Sequence, residues 1–238
     1  MELLRRAISA AGGSERWREM SGFTAHMTIG GDLIGQKFRP EALKEIAIDA
    51  DVPEQIVRIT GLGSEEDRFF CHADQVGAED ENGNIIRVER RSFEDWERRA
   101  PEISWDILDL VQYCSYSVWS YVATPYLLQS AGLRCVDQPH VYPIERTRSV
   151  RVEFPRAAMA YPLLQTLHID AQGLLVRMDY EAVELDGASV SQSVGAHQNF
   201  SGYLVPTLRR SRLIGSENTS AAPALLDIEI FDLDVRRG

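Results

Sequence analysis

The segment from Ser104 to Leu128 (SWDILDLVQYCSYSVWSYVATPYLL) is the one long apolar run in a chain of 238 residues otherwise composed of short strand-like pieces. Its polar side chains recur at every third or fourth position, so at about 100° per residue they form one stripe along a helix. The stripe consists of Asp106, Asp109, Tyr113, Tyr116, Ser117, Ser120 and Thr124. A helix that is apolar on one side and hydroxylic on the other is typical of a pocket wall, so we predict a binding cavity beside it.

The same segment has to be distinguished from a membrane span. Residues 107–128 are nearly long enough to cross a bilayer. However, the run includes Asp109, Gln112, Pro125, four tyrosines and three serines. Polar residues in such numbers favour burial within protein, and we predict no membrane span.

Composition and charge exclude several classes of partner. With 44% hydrophobic residues the chain has ample material for a core. A net charge of −11 speaks against nucleic acid or an anionic membrane surface as the partner. Cys71, Cys114 and Cys135 are far apart and odd in number, which predicts no disulfide framework and no metal site. The chain starts with an amphipathic pattern and not a secretory signal, so we expect a cytoplasmic protein.

Hydrophobic alternation outside the central segment predicts strands. A helix over roughly residues 2–11 is followed by a strand in which Phe23, Ala25, Met27 and Ile29 alternate with polar residues. Gly30-Gly31-Asp32 predicts a turn into a partner strand over Leu33–Phe38, and a later strand is predicted over Asp67–Asp74. The pattern indicates an α+β domain spanning residues 1–238, with about eleven antiparallel strands and a helical insertion at about 93–128.

Several short motifs resemble a known bacterial family. They are Gly12–Trp17, Trp105-Asp106, Asp109-Leu110, Trp119–Tyr121, Thr124–Leu128, Val150–Pro155, Asp170–Leu175, Arg177, Asp179-Tyr180, Val205–Thr207 and Arg209-Arg210. Together they are similar to an uncharacterised family whose fold is that of the outer-membrane lipoprotein localisation factors, the LolA-like half-barrel. The resemblance spans nearly the whole chain. It implies an incomplete antiparallel barrel that wraps around helices and encloses an apolar cavity for acyl chains.

The chain departs from that family pattern at polar positions. Tyr161 and Gln192 stand where a histidine is usual, and His168 stands where an aromatic residue is usual. Ala11 replaces the histidine that normally precedes the first glycine pair. These exchanges suggest a specialised ligand or reaction.

Candidate site residues lie first on the central helix. Tyr113 and Tyr116 could donate hydrogen bonds to a ligand carbonyl, and Asp106 or Asp109, if desolvated, could act as acid or base. Alternatively, the two aspartates stabilise the helix start and the hydroxyl groups bond back to carbonyls one turn earlier. Further ligand-contacting candidates are Trp105, Trp119, Ser120 and Tyr121, and the two tryptophans serve equally well as packing residues.

Two other clusters could carry chemistry. His168 and Asp170 lie two apart on a predicted strand and so share a face, where the carboxylate could make the imidazole a general base. The alternative is an exposed pair beside a turn. His140, Tyr142 and Arg146 follow Pro139 and could form the polar rim of a cavity, with Arg146 binding a carboxylate, or could be an ordinary solvated loop.

Two functions fit these features. The first is a cytoplasmic carrier or sensor that holds an apolar small molecule in the half-barrel. The second is a cofactor-independent cyclase or isomerase of a polyketide-like or terpenoid-like substrate in secondary metabolism, because shape, desolvation and a few hydroxyl or carboxyl groups suffice for such chemistry. Neither requires a cofactor, and both are compatible with a homodimer.

Overall fold

The structure is a computed structural model that describes residues 2–38, 43–62, 68–138, 147–215 and 224–238. The described residues form five α-helices, each placed before or between strands. They are α1 (Glu2–Ala10), α2 (Ser14–Glu19), α3 (Asp32–Lys37), α4 (Phe93–Arg99) and α5 (Ile107–Leu127). Two short 3-10 turns occur at Arg156–Ala158 and Val183–Leu185.

Thirteen strands form in the described part of the chain, and all belong to one sheet. They are β1 (Met20–Gly30), β2 (Leu43–Asp51), β3 (Ile56–Thr60), β4 (Arg68–His72), β5 (Gln75–Glu79), β6 (Ile85–Arg90), β7 (Arg134–Gln138), β8 (Arg148–Glu153), β9 (Leu164–Ile169), β10 (Leu175–Ala182), β11 (Ala188–Phe200), β12 (Tyr203–Leu213) and β13 (Leu226–Arg237).

The strand order shows how the sheet surrounds the central helix. It runs β6-β5-β4-β3-β2-β1-β13-β12-β11-β10-β9-β8-β7, so the first and last strands are neighbours at its centre. All neighbours are antiparallel, as consecutive strands joined by short turns require. The edges β6 and β7 are not paired with each other, and α4 and α5 occupy the connection between them. The predicted open antiparallel barrel around a helical insertion is therefore confirmed.

Alternation along the strands builds the core. In β1, Phe23, Ala25, Met27 and Ile29 are buried, whereas His26 on the other face is exposed. The buried face of the sheet contacts α5, and the buried apolar side chains join into a single cluster. The predicted period of two thus places one face of the sheet against the helix.

Three details of the sequence prediction were wrong. Leu33–Phe38 is mostly the helix α3, because the amides of Asp32 and Leu33 donate to the carbonyls of Ala224 and Leu225, a tertiary contact that satisfies a helix start. The predicted strand Asp67–Asp74 ends earlier at a turn through Ala73, whose φ of 52° reverses the chain into the unpredicted strand β5. The third detail is the strand count, since the described part of the chain has thirteen strands and not about eleven.

Candidate ligand-binding site

Helix α5 is buried along nearly its whole length. Asp106 caps its first turn, and the Asp106 and Asp109 side chains each accept from the other's backbone amide in a capping box. The predicted polar stripe packs inside the molecule: Tyr113 and Tyr116 are each only 2% exposed. The helix therefore forms the centre of the core, and its polar stripe from Asp109 to Thr124 is buried there.

An ion-pair cluster surrounds the amino end of α5. Arg91 donates to Asp109 Oδ1 (2.7 Å), Asp106 Oδ2 (2.7 Å) and Glu89 Oε2 (2.7 Å), and Arg99 Nη2 donates to Asp109 Oδ2 (2.8 Å). Desolvation is the largest single effect on Asp106 and opposes its ionisation. The hydrogen bonds from Arg91 and from the Asp109 amide, together with the charges of Arg91 and Arg99, outweigh it and lower the pKa of Asp106 to about 2. An acid–base role for Asp109 would require it to give up both arginines, whereas the alternative, a charged helix start, matches these contacts.

Aromatic rings fill the space beside the middle of α5. Tyr113 lies 5.1 Å from Trp105 and 6.0 Å from Tyr161, measured between ring centroids. Trp105 donates to the carbonyl of Ala100 (3.1 Å). The Tyr116 hydroxyl accepts from Gln112 Nε2 (3.1 Å). Burial raises the pKa of both Tyr113 and Tyr116, so each phenol stays protonated as a hydrogen-bond donor.

A buried carboxyl group lies next to this aromatic cluster. The Tyr161 hydroxyl donates to Glu184 Oε2 (2.5 Å), and Glu184 is 2% exposed. Burial raises the pKa of Glu184, while the hydrogen bond from Tyr161 works in the other direction. Sequence reasoning noted Tyr161 only as a departure from the family pattern and did not single out Glu184, whose turn has no distinguishing local signal.

His168 is held by residues of the neighbouring strands. Its Nδ1 lies 2.9 Å from Ser149 Oγ, and its Nε2 lies 2.9 Å from Asp179 Oδ2. The predicted partner Asp170 instead accepts from the amides of Gln172 (2.9 Å) and Leu174 (2.8 Å) in the turn after β9. The predicted His168–Asp170 pair is therefore not formed, because the Asp170 carboxylate caps the turn that begins at that residue.

The remaining candidates on α5 have structural partners. Trp119 donates to the carbonyl of Ala158 (3.0 Å). Ser120 Oγ lies 3.3 Å from Thr124 Oγ1, and the Thr124 hydroxyl donates to the Ser120 carbonyl one turn back. The alternative of hydroxyl groups bonded back to the helix is thus realised for Thr124. The proposed rim residues His140, Tyr142 and Arg146 lie outside the described residues.

A second polar cluster involves Tyr121 and was not predicted as a unit. Arg209, on β12, is 2% exposed and has its guanidinium carbon 4.2 Å from the Tyr121 ring centroid. It donates through Nη1 to Gln192 Oε1 (3.0 Å) and through Nη2 to the Tyr121 carbonyl (3.1 Å). Gln192 also donates to Ser211 Oγ (3.0 Å). Desolvation lowers the pKa of Arg209 to about 10, so the group still carries its charge at neutral pH.

Beside Arg209, α1 covers a small apolar space, which we call the α1 pocket. Its lining comes from α1, the carboxyl end of α5 and strands β9 to β12: Ala7, Ala11, Thr124, Pro125, Leu128, Leu167, Ile169, Gly173, Leu174, Leu175, His197, Leu204, Pro206 and Arg209. The free volume is about 20 Å³, enough for one water molecule. A ligand pocket needs several hundred Å³, so a ligand can enter here only if a covering element moves.

The covering element is α1. On its other side an open hollow of about 610 Å³ separates Leu4 and Ile8 from Leu128 and Gln129. The carboxyl end of α1 is anchored, since the Ala11 carbonyl accepts from the Leu204 amide (2.9 Å) and the Tyr126 hydroxyl (2.5 Å). Along the helix itself, the apolar side chains and a bond from Arg6 to the Ala171 carbonyl hold it to the sheet.

Known proteins resemble this chain in structure only. No family model and no curated protein matches it. A crystal structure of an outer-membrane lipoprotein-sorting protein domain from Vibrio parahaemolyticus aligns with a TM-score of 0.56 at 11% identity, covering 100% of this chain and 92% of that one. The LolA superfamily protein NE2245 from Nitrosomonas europaea aligns with a TM-score of 0.53 at 7% identity, covering 98% and 93%. The fold is LolA-like.

The LolA-like fold agrees with the resemblance inferred from the sequence motifs, and at these identities the likeness concerns the fold alone. A DUF1329 family protein from Desulfovibrio piger aligns with a TM-score of 0.41 at 10% identity (98% and 92% coverage). Among the described helices of this LolA-like chain, none is long and apolar enough to cross a membrane. Within the same residues, His, Cys, Asp and Glu form no group suited to a metal ion.

Proposed function

We propose that this protein binds an apolar small molecule between the sheet and α1, as a carrier or sensor in the cytoplasm. The observation that carries the proposal is the α1 pocket, an apolar space inside a half-barrel, covered by one short helix. Its lining is aliphatic except for Thr124, His197 and Arg209. The LolA-like fold supports the proposal, since a structure with this fold is described as a lipoprotein-sorting domain.

The energetics of α1 set the size of the ligand. Leu3, Leu4 and Ile8 are its large buried side chains. Exposing such a side chain costs about 1.5–3 kcal/mol, so lifting the helix fully costs roughly 5–9 kcal/mol. A buried methylene contributes about 0.8 kcal/mol, so a chain of roughly six to eleven methylenes offsets that cost. The proposed ligand therefore has a long aliphatic or isoprenoid part.

Binding can be tested with straight-chain alcohols of 8, 12 and 16 carbons. We expect saturable binding that strengthens by several orders of magnitude from the shortest to the longest, because each added methylene leaves water. Tryptophan fluorescence provides the signal, since Trp17 stacks on Tyr126 (4.7 Å between centroids), whose hydroxyl anchors α1. Absence of saturable binding at every chain length would contradict the proposal.

The second candidate is a cofactor-independent cyclase or isomerase acting on a polyketide-like or terpenoid-like substrate. The observation that favours it is the Tyr161–Glu184 pair, a buried phenol and a carboxyl group with a raised pKa, which is the form a general acid takes. Mass spectrometry of the protein incubated with a linear polyprenol distinguishes the two functions. A carrier returns the polyprenol unchanged, whereas an isomerase returns a product of equal mass and different retention time.

A further inference from the structure

Arg209 is a buried cation without a carboxylate partner in the described part of the chain. Its contacts there are Gln192, the Tyr121 carbonyl and the face of the Tyr121 ring, all of them uncharged at neutral pH. The Nε atom is buried and has no hydrogen-bond acceptor. A buried charge in a protein is ordinarily paired, because the loss of hydration is otherwise uncompensated.

The guanidinium is held in place rather than mobile. Gln192, which accepts from Arg209 Nη1, is itself fixed by its bond to Ser211 on the neighbouring strand. The Tyr121 carbonyl fixes Nη2. Nη1 and Nη2 therefore each donate one hydrogen bond, whereas the Nε–H donates none. A fixed guanidinium edge matches the two oxygens of a carboxylate.

Arg209, the residue that carries this cation, is among those that line the α1 pocket. The rest of the wall is aliphatic, apart from Thr124 and His197. Burial, with a smaller contribution from the charge of Arg209, lowers the pKa of His197, so the imidazole is neutral at pH 7 and adds no second charge to the pocket. The pocket therefore combines an apolar lining with one uncompensated positive charge.

We propose that the ligand of this protein is a long-chain carboxylic acid whose carboxylate binds Arg209 while its aliphatic chain lies under α1. This inference rests on the proposed function and narrows it to a class of compound. The ligand supplies the counter-charge that the described protein residues lack. A single water molecule, which the closed pocket can hold, would satisfy Nε but would leave the charge unpaired.

The test compares hexadecanoate, hexadecanol and hexadecyl phosphate at pH 8, where the acid is ionised. Binding is measured on the full chain by tryptophan fluorescence and by native mass spectrometry. We expect hexadecanoate to bind at least about tenfold more tightly than hexadecanol, because a hydrogen bond to a charged group in a dry site is worth that much or more. Hexadecyl phosphate, which carries close to two negative charges at pH 8, is expected to bind more weakly than hexadecanoate, since the single charge of Arg209 would leave one buried negative charge unpaired.

The matched variants are Arg209→Met and Arg210→Met. Both make the same change on the same strand, but Arg210 pairs with Asp227 (2.8 Å) and is partly exposed. Arg209→Met should remove the preference for the acid, whereas Arg210→Met should keep both the preference and the wild-type affinity for hexadecanol. Circular dichroism checks that each variant is folded, and Arg209→Lys, which keeps the charge, should retain part of the preference if Arg209→Met does not fold.

The outcomes separate the two proposals. Equal binding of hexadecanoate and hexadecanol by the wild type would overturn the carboxylate inference and leave apolar ligand binding intact. Tighter binding of hexadecyl phosphate would also overturn it. A preference for the acid that survives in Arg209→Met would place the anion elsewhere. Failure of all three probes to bind would contradict the proposed function and the inference together.

Discussion

A buried arginine lies near each end of helix α5, and the two have opposite surroundings. Arg91, 5% exposed, is contacted at the amino end by three carboxylates, those of Glu89, Asp106 and Asp109. Arg209, 2% exposed, lies toward the carboxyl end and has no carboxylate partner in the described residues. The charge of Arg91 is balanced by residues of the protein itself. The charge of Arg209 has no such partner and can be balanced by a bound anion. The comparison separates a structural end of the helix from a candidate binding end.

The largest effect expected from this comparison is on stability. Asp109→Ala removes the carboxylate that both Arg91 and Arg99 contact and breaks the capping box at the helix start. Removing one partner of a buried ion pair leaves an uncompensated charge, so we expect the free energy of unfolding to fall by about 3–5 kcal/mol. Urea unfolding followed by circular dichroism measures the change.

The matched variant at the other end is Arg209→Met, which replaces an unpaired buried charge by an apolar side chain of similar length. The relief of desolvation offsets the loss of two hydrogen bonds, so we expect the free energy of unfolding to stay within about 1 kcal/mol of wild type. If Arg209→Met destabilised the protein as much as Asp109→Ala, both arginines would be structural. The distinction between a structural end and a binding end of α5 would then be wrong.

The two ends of α5 also differ in how far the sequence predicts them. The capping box joins residues three apart, so stabilisation of the helix start by Asp106 and Asp109 could be stated from the sequence as the alternative to an acid–base role. Their arginines come from the end of β6 and from α4, and that proximity depends on how the elements pack. Arg209 meets Gln192 only through the register of β11 with β12, in which Arg209 is opposite Val194. Contacts across strands leave no local pattern in a single sequence.

The fold was more predictable than the site for the same reason. Alternation along β1 and the apolar run of α5 are local signals that predict antiparallel strands and a helical insertion, and the family resemblance implies the open barrel around the helix. The partner of His168 required the pairing of β9 with β10, and Asp179 was found only in the structure. The α1 pocket depends on where a terminal helix docks, which no periodicity encodes.

A further prediction tests whether helix α1 can move away from the sheet. Gly173 lies beneath it with a φ of +91°, and a Cβ there would approach the Arg6 carbonyl oxygen to 2.9 Å and the Ala10 Cβ to 3.2 Å. Gly173→Ala should therefore push α1 away from the sheet. We expect the amides of α1 to exchange with deuterium about tenfold faster than in the control below, which corresponds to about 1.4 kcal/mol.

Gly187→Ala is the matched control. Gly187 has a similar φ of +80°, but a Cβ there meets no atom within 4 Å. Both variants carry the same kind of left-handed backbone strain, so a difference between them reports contact with α1. Because α1 covers the α1 pocket, faster amide exchange of α1 in Gly173→Ala should be accompanied by a higher association rate for hexadecanol. Equal exchange of α1 in the two variants would mean that the helix is not the element that moves.

The smallest effect concerns the pH dependence of the amino end. Against desolvation, the hydrogen bonds from Arg91 and the Asp109 amide and the charges of Arg91 and Arg99 together hold the pKa of Asp106 at about 2, below its ordinary value of 3.8. A carboxyl group with a lowered pKa in the folded state contributes stability that is present above about pH 4 and is lost as the pH falls toward 2. Because the Asp106 side chain is 45% exposed, solvent screening limits the contribution to less than about 1 kcal/mol.

Asp106→Asn isolates this contribution, since asparagine still caps a helix but carries no charge. The stability difference between wild type and variant should be largest from pH 5 to 7 and should shrink between pH 4 and 2, as urea unfolding at each pH would show. If the difference in the free energy of unfolding between wild type and Asp106→Asn stayed constant from pH 6 to 2, the charge of Asp106 would not contribute to stability. Asp109 and Glu89 alone would then balance the charge of Arg91. Arg91 would then have two carboxylates that stabilise it instead of three, and its surroundings would differ less from those of Arg209.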